Sequence, residues 1–261
     1  MKKLLLPVFL IILPLAIIVM MASSSGSPGG KTGSPGDGGS NCTQCHTGTP
    51  NQVDGWITST IPPEGYVPGQ TYDVIAIGNH TGVVKFGFEL TAEDATGNKV
   101  GTFIITDPLQ TQLTNGQTAV THTLDGNTPV GDMKVWNMSW IAPDPGVDEV
   151  TFYAAFNAAN GNGTTSGDVI YLSDLEVQQM GDPMLVSIDP DSAVQAEEVT
   201  CAIIGDHTLW EGTSPEVNLV YSASTPPEII GANEVTVINN EELEVIFIIH
   251  DNATTGRWDL E

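Results

Sequence analysis

A chain of 261 residues is long enough for two modest domains with real cores. Lys and Arg number 7 against 32 Asp and Glu, a formal net charge of −25. That balance excludes a nucleic-acid-binding surface, which needs a basic footprint, and argues against docking on anionic headgroups. The acidic residues are dispersed, as on a solvated surface adapted to a saline or extracellular medium. No loop has the spacing of an EF-hand calcium site.

The N-terminus reads as an export segment over residues 1–22. Lys2 and Lys3 precede an apolar run from Leu4 to Ala22, and Ser23, Ser24 and Ser25 follow. Pro7 and Pro14 interrupt a run that is long for a signal peptide, so an uncleaved N-terminal anchor is the alternative. Either form places the remainder outside the cytoplasm. Residues 23–52 are rich in Gly, Ser and Pro and lack apolar periodicity, the composition of a flexible lead.

The lead carries two of the three cysteines, in Cys42-Thr43-Gln44-Cys45-His46. Two thiols separated by two residues can add to the two vinyl groups of one haem. The histidine that follows then lies beneath the iron as its axial ligand. The spacing therefore predicts haem c held covalently by Cys42 and Cys45, with His46 as proximal ligand. Three other readings stand beside it. They are a Cys42–Cys45 disulfide, half of a zinc site lacking two more ligands, and a chance match. For the distal position His122 is the first choice, because strand alternation groups it with Val120 and Leu124. His80 and Met133 are weaker candidates. Cys201, within a predicted strand, reads as a buried free thiol.

From about Val53 the pattern becomes short alternating strands separated by turn residues. Strands are predicted at 71–77, 83–92, 99–106, 117–124, 134–141, 149–159 and 168–177. Between them stand turns such as Asn115-Gly116, Asp125-Gly126-Asn127 and Asp144-Pro145-Gly146. Trp136, Met138 and Trp140 share one strand face and read as core. A boundary is placed at Gly181-Asp182-Pro183. Further strands follow at 185–188, 198–204, 216–221, 234–238 and 243–249. No long amphipathic helix is apparent after the leader, so the class is all-β, with an antiparallel β-sandwich over 53–180 and a smaller one over 184–261.

Residues 64–178 resemble the reeler (reelin-type) domain in the variant of secreted Bacteroidetes proteins. The resemblance rests on Gly65-Tyr66-Val67-Pro68-Gly69-Gln70-Thr71-Tyr72, Lys85-Phe86-Gly87-Phe88-Glu89-Leu90-Thr91-Ala92, Val120-Thr121-His122-Thr123, Trp136-x-x-x-Trp140-x-Ala142-Pro143 and Val150-Thr151-Phe152-Tyr153. Residues 184–261 resemble an IPT/TIG immunoglobulin-like module through Ser187-Ile188-Asp189-Pro190, Val235-Thr236-Val237 and Thr255-Gly256-Arg257-Trp258-Asp259. The first resemblance implies a β-sandwich and no activity by itself. The second implies a spacer or adhesive unit whose last strand is cut short, so a longer parent with a C-terminal anchoring region is expected.

No Ser-His-Asp set, carboxylate pair or phosphate loop is evident, and a non-enzymatic role is expected. The leading expectation is an exported or cell-surface mono-haem electron carrier with an unknown redox partner. It would attach to the membrane through its N-terminal segment or a missing C-terminal region. The alternative is an extracellular adhesion or matrix protein that binds a cell-surface ligand and uses the cysteine pair as a staple.

Overall fold

The computed structural model describes residues 25–261, and the predicted export segment lies outside them. Among the described residues no helix is long and apolar enough to cross a membrane. The chain divides into two compact units that meet between Gln179 and Met180, a few residues before the predicted boundary.

The first unit contains β1 (Asn51–Gln52), β2 (Ile57–Ser59), β3 (Thr71–Asn79), β4 (Lys85–Asp94), β5 (Thr102–Ile104), β6 (Thr111–Thr114), β7 (Ala119–His122), β8 (Met133–Ile141), β9 (Glu149–Ala159) and β10 (Val169–Gln178). A six-stranded sheet in the order β1-β10-β9-β4-β7-β6 faces a four-stranded sheet in the order β2-β3-β8-β5. All pairs are antiparallel except β1 with β10. Strand alternation sends Phe86, Phe88 and Leu90 of β4 and Phe152, Ala154 and Phe156 of β9 into the gap between the sheets. Trp136, Met138 and Trp140 of β8 meet them, fully buried as their spacing predicts. The Phe88 and Trp136 rings lie 4.3 Å apart, and Trp140 meets Phe152 edge-on at 4.9 Å. Each ring contributes roughly 1.5–3 kcal/mol of burial, plus a smaller gain from the ring geometry. The indole N–H groups donate to Gly126 O and Val100 O, so neither Trp leaves a buried donor unpaired.

The second unit contains β11 (Met184–Asp189), β12 (Glu198–Asp206), β13 (Asn218–Tyr221), β14 (Glu228–Gly231), β15 (Glu234–Asn239), β16 (Glu242–Ile248) and β17 (Asp259–Leu260). Its sheets run β11-β12-β16-β15 and β14-β13-β17 around Ile203, Leu243, Val245 and Phe247. Cys201 is buried there as a free thiol, as expected.

The structure differs from the sequence reading at five short strands, β1, β2, β6, β14 and β17, and at the lead. Residues 111–122 form a hairpin, β6 and β7, around the predicted Asn115-Gly116 turn; the sequence reading places a strand only after it, at 117–124. The short β14 was also not predicted; its Glu-Ile-Ile-Gly run shows little alternation. Residues 25–52, expected as a flexible tether, lie fastened along the outward face of the six-stranded sheet. Thr32 and Ser34 are buried, and Thr32 bridges to Asn41 to close a loop. The fastening is polar: Lys31 N donates to Glu89, Gly36 N donates to Glu93, and Lys99 pairs with Asp37. Apolar periodicity cannot report such anchoring. At Gly36 a Cβ would stand 2.3 Å from Gly97 O, so only glycine lets the loop approach the sheet this closely.

Candidate functional site

The Cys-x-x-Cys-His motif forms a capped turn at the end of this loop. Asn41 Oδ1 accepts the Thr43 N–H at 2.9 Å, and a 3₁₀ turn spans Cys42–Gln44. The His46 N–H closes on Cys42 O at 2.9 Å. An Asn cap suits a turn that starts from an extended residue, because its short side chain reaches the first free amide. The turn leaves Cys45 exposed and Cys42 partly covered, and both thiols are free. The disulfide of the alternative reading is thus not formed in this structure.

Two residues from distant strands grip His46. Its Nδ1 lies 2.6 Å from Asp168 Oδ2, and the Asp168 carboxylate is almost wholly buried. The other carboxylate oxygen accepts the Asn160 N–H at 3.1 Å, which fixes the group at the start of β10. An acidic acceptor at Nδ1 places the proton there and leaves a lone pair on Nε2. The Asn157 amide nitrogen lies against the ring, 3.1 Å from Nε2 and 3.2 Å from Nδ1. Thr47 N donates to Thr165 O and ties the end of the motif to the exposed 161–167 loop.

Cys42 lies in a different environment from Cys45. Burial pushes its thiol up to about 12, and the charge of Glu89 adds to the rise. Glu89 is itself wholly buried on β4 beneath the lead, its Oε2 without a hydrogen-bond partner. Burial likewise raises the Glu89 carboxyl above its ordinary range.

His122, the expected distal ligand, is placed in a structural role. It ends β7 with its ring beside Gly87, and Nδ1 accepts the Phe88 N–H at 3.1 Å. A neutral imidazole that accepts at Nδ1 carries its proton on Nε2, so neither nitrogen offers iron a lone pair. Burial lowers its pKa to about 4, which keeps it neutral. In this arrangement His122 is a hydrogen-bonded structural histidine. Its ring lies over Gly87, the cross-strand partner of the Asn157 that touches His46. His80 hydrogen-bonds Tyr171 Oη at 2.8 Å, and Met133 is half-exposed on β8.

The residue types present suit covalent haem in their chemistry: two free thiols, Cys45 exposed and Cys42 covered, and a histidine held by a buried carboxylate, the usual outer partner of a ligating imidazole. Only the Asn157 amide stands against Nε2. Its Oδ1 is buried without a hydrogen-bond partner. Sequence reasoning missed Asp168 and Asn157, which are 122 and 111 residues from His46. The one available signal was Asn157, a polar residue within the apolar stretch of β9.

These features define a class: an all-β protein whose larger two-layer sandwich carries a Cys-x-x-Cys-His turn on the outer face of one sheet. Residues 40–161, just under half of the chain, match the model of the Reeler domain, and the matched stretch takes in Cys42, Cys45 and His46. The human F-spondin reeler domain is similar at 22% identity, covering 51% of this chain and 94% of that one, with a TM-score of 0.39. The Reelin-N domain of F-spondin gives 22% identity, coverage of 54% and 96%, and the same TM-score. AvmM, which catalyses macrocyclization in alchivemycin A biosynthesis, gives 14% identity, coverage of 50% and 93%, and a TM-score of 0.28. No curated protein matches the chain.

Proposed function

We propose that this protein is an exported c-type haem protein that carries electrons, with a reeler-type sandwich as the scaffold of the haem site. The observation that carries the reading is the 2.6 Å contact between His46 Nδ1 and the buried Asp168 carboxylate. A surface histidine kept only for solubility has no need of a buried anionic partner, whereas an axial ligand gains basicity and a fixed ring plane from one.

Cys42 and Cys45 would anchor the haem, and His46 would ligate its iron through Nε2. The bound group would supply one-electron transfer, with its potential tuned by the axial ligand and by hydrogen bonding around it. Asp168 holds the Nδ1 proton and the ring orientation. Asn157 would have to leave Nε2 for the iron to bind there, and the exposed 161–167 loop borders the site. The net charge of −25 favours a basic redox partner, whose approach would slow as salt is added.

A second reading follows from the Reeler match alone: a non-enzymatic extracellular binding module in which Cys42 and Cys45 pair. One experiment separates the two. The full chain is expressed with periplasmic haem-maturation machinery, denatured, and its pyridine haemochrome spectrum recorded. Covalent haem that disappears in Cys42→Ser/Cys45→Ser supports the first reading. Haem-free protein with an oxidised cysteine pair rejects it in favour of the second.

A further inference from the structure

The loop that delivers the motif is fastened by an arrangement with chemistry of its own. A tight turn at 94–98, in which Asp94 N donates to Asn98 O, brings Lys99 back across from Glu93 as a bridged pair. Cross-strand partners put their side chains on one face. There Lys99 Nζ lies 2.5 Å from Glu93 Oε1 and 2.7 Å from Asp37 Oδ1. The Glu93 side chain is 0% exposed, that of Asp37 3% and that of Lys99 19%. Gly36 N donates to Glu93 Oε2 at 2.8 Å, and Ser34 Oγ donates to Oε1. Thr32 donates twice to Asp37 Oδ2, from N at 3.2 Å and from Oγ1 at 2.5 Å, leaving Oδ1 to the lysine.

An amine, a carboxyl and a second carboxylate within hydrogen-bond reach, sheltered from water, are the components of an amide condensation. We propose that Lys99 and Asp37 form an intramolecular isopeptide bond, with Glu93 as the proton carrier. Glu93 takes a proton from the Lys99 ammonium, which frees the Nζ lone pair to attack Asp37 Cγ. The two Thr32 donors polarise the carboxyl from the side away from the lysine. The new C–N bond forms as one carboxylate oxygen departs with two of the three ammonium protons as water. Glu93 ends the cycle as it began, and no oxidant, reductant or added group is consumed. A buried ion pair becomes a neutral amide, which removes the cost of holding two charges out of water. The product ties the lead to the sandwich across 62 residues of chain, just upstream of Cys42.

Proteolytic digestion of the full chain and mass spectrometry test this directly. The expected result is a branched peptide joining the Asp37 and Lys99 segments, lighter than their sum by one water, in most of the molecules. Lys99→Arg and Glu93→Gln should each contain only the separate peptides, while circular dichroism and thermal melting show both variants folded. Wild-type protein that yields only separate peptides of full mass overturns the proposal. So does a mass deficit that persists in Lys99→Arg, because it then belongs to a cyclic imide at Asp37-Gly38. A branched peptide that survives in Glu93→Gln removes Glu93 from the chemistry and overturns the mechanism.

Discussion

Nδ1 of His46 and Oδ2 of Asp168 stand 2.6 Å apart, although 122 residues of chain separate them. The carboxylate serves two donors at once, the imidazole and the Asn160 amide. Asp168→Ala leaves both without that acceptor and should destabilise the apo protein by about 1–3 kcal/mol in urea unfolding. It should also cut the haem recovered per chain by about tenfold, the usual scale for loss of a ligand's outer partner. Asp168→Asn keeps an acceptor oxygen and should restore most of the stability. Haem recovery equal to wild type in Asp168→Ala would remove the support for His46 as an axial ligand.

The two motif thiols should differ sharply in reactivity before haem is attached. Burial and the Glu89 charge move Cys42 from 9.0 up to about 12, which lowers its thiolate population by about a thousandfold at neutral pH. Cys45 is exposed on the turn. Iodoacetamide labelling of the folded, reduced apo chain, followed by peptide mapping, should modify Cys45 first and Cys42 far more slowly. Cys201, buried in the second unit, should label only on unfolding. Equal rates at Cys42 and Cys45 would show that the lead does not cover the sheet as described.

Much of this arrangement was legible in the sequence, and the gaps have a common cause. Period-two alternation locates β9 at Glu149–Ala159 and the aromatic face of β8, because both strands are half-buried and their patterns are set by the core. The Cys42–His46 turn is local and announces itself. Alternation also puts Glu89 and Glu93 on the outward face of β4, where carboxylates read as solvated. They are wholly buried because the lead lies over them. Nothing in a Gly/Ser/Pro-rich stretch signals that it will pack, since its hold comes from Lys99, Asp37 and backbone amides rather than from apolar side chains. The partners of His46 were hidden for the same reason: they are distant in the chain and joined to it by polar contacts.

His122 gives the fold a measurable acid sensitivity. Its folded pKa is lowered from 6.5 to about 4, chiefly by burial. Between those values the unfolded chain binds the proton and the folded chain does not. The stabilisation is therefore complete above pH 6.5 and declines as pH falls toward 4. The loss over that window is about 3 kcal/mol. His122→Gln should lack this component, so the difference in unfolding free energy between wild type and variant should shrink steadily from pH 7 to pH 4. The haem spectrum of His122→Gln should match wild type; a change in its low-spin bands would return His122 to the iron.

Gly87 and His122 form a fitted pair, and their coupling can be measured. A Cβ at Gly87 would lie 2.9 Å from His122 Cε1 and 3.4 Å from Nε2. The ring cannot retreat without giving up the Phe88 N–H, which would then lack its acceptor at the end of the β4–β7 ladder. Gly87→Ala should thus cost about 1–3 kcal/mol, the scale of overpacking in a closed site. The conformation of Gly87 adds nothing to that cost, since its φ lies outside the positive range. Removing the ring first should relieve the clash. In the His122→Ala background Gly87→Ala should be nearly neutral, giving a coupling energy of about 1–2 kcal/mol in a double-mutant cycle. Additive costs would mean that the imidazole does not occupy the space above Gly87, and its capping of β4 would fall with that result.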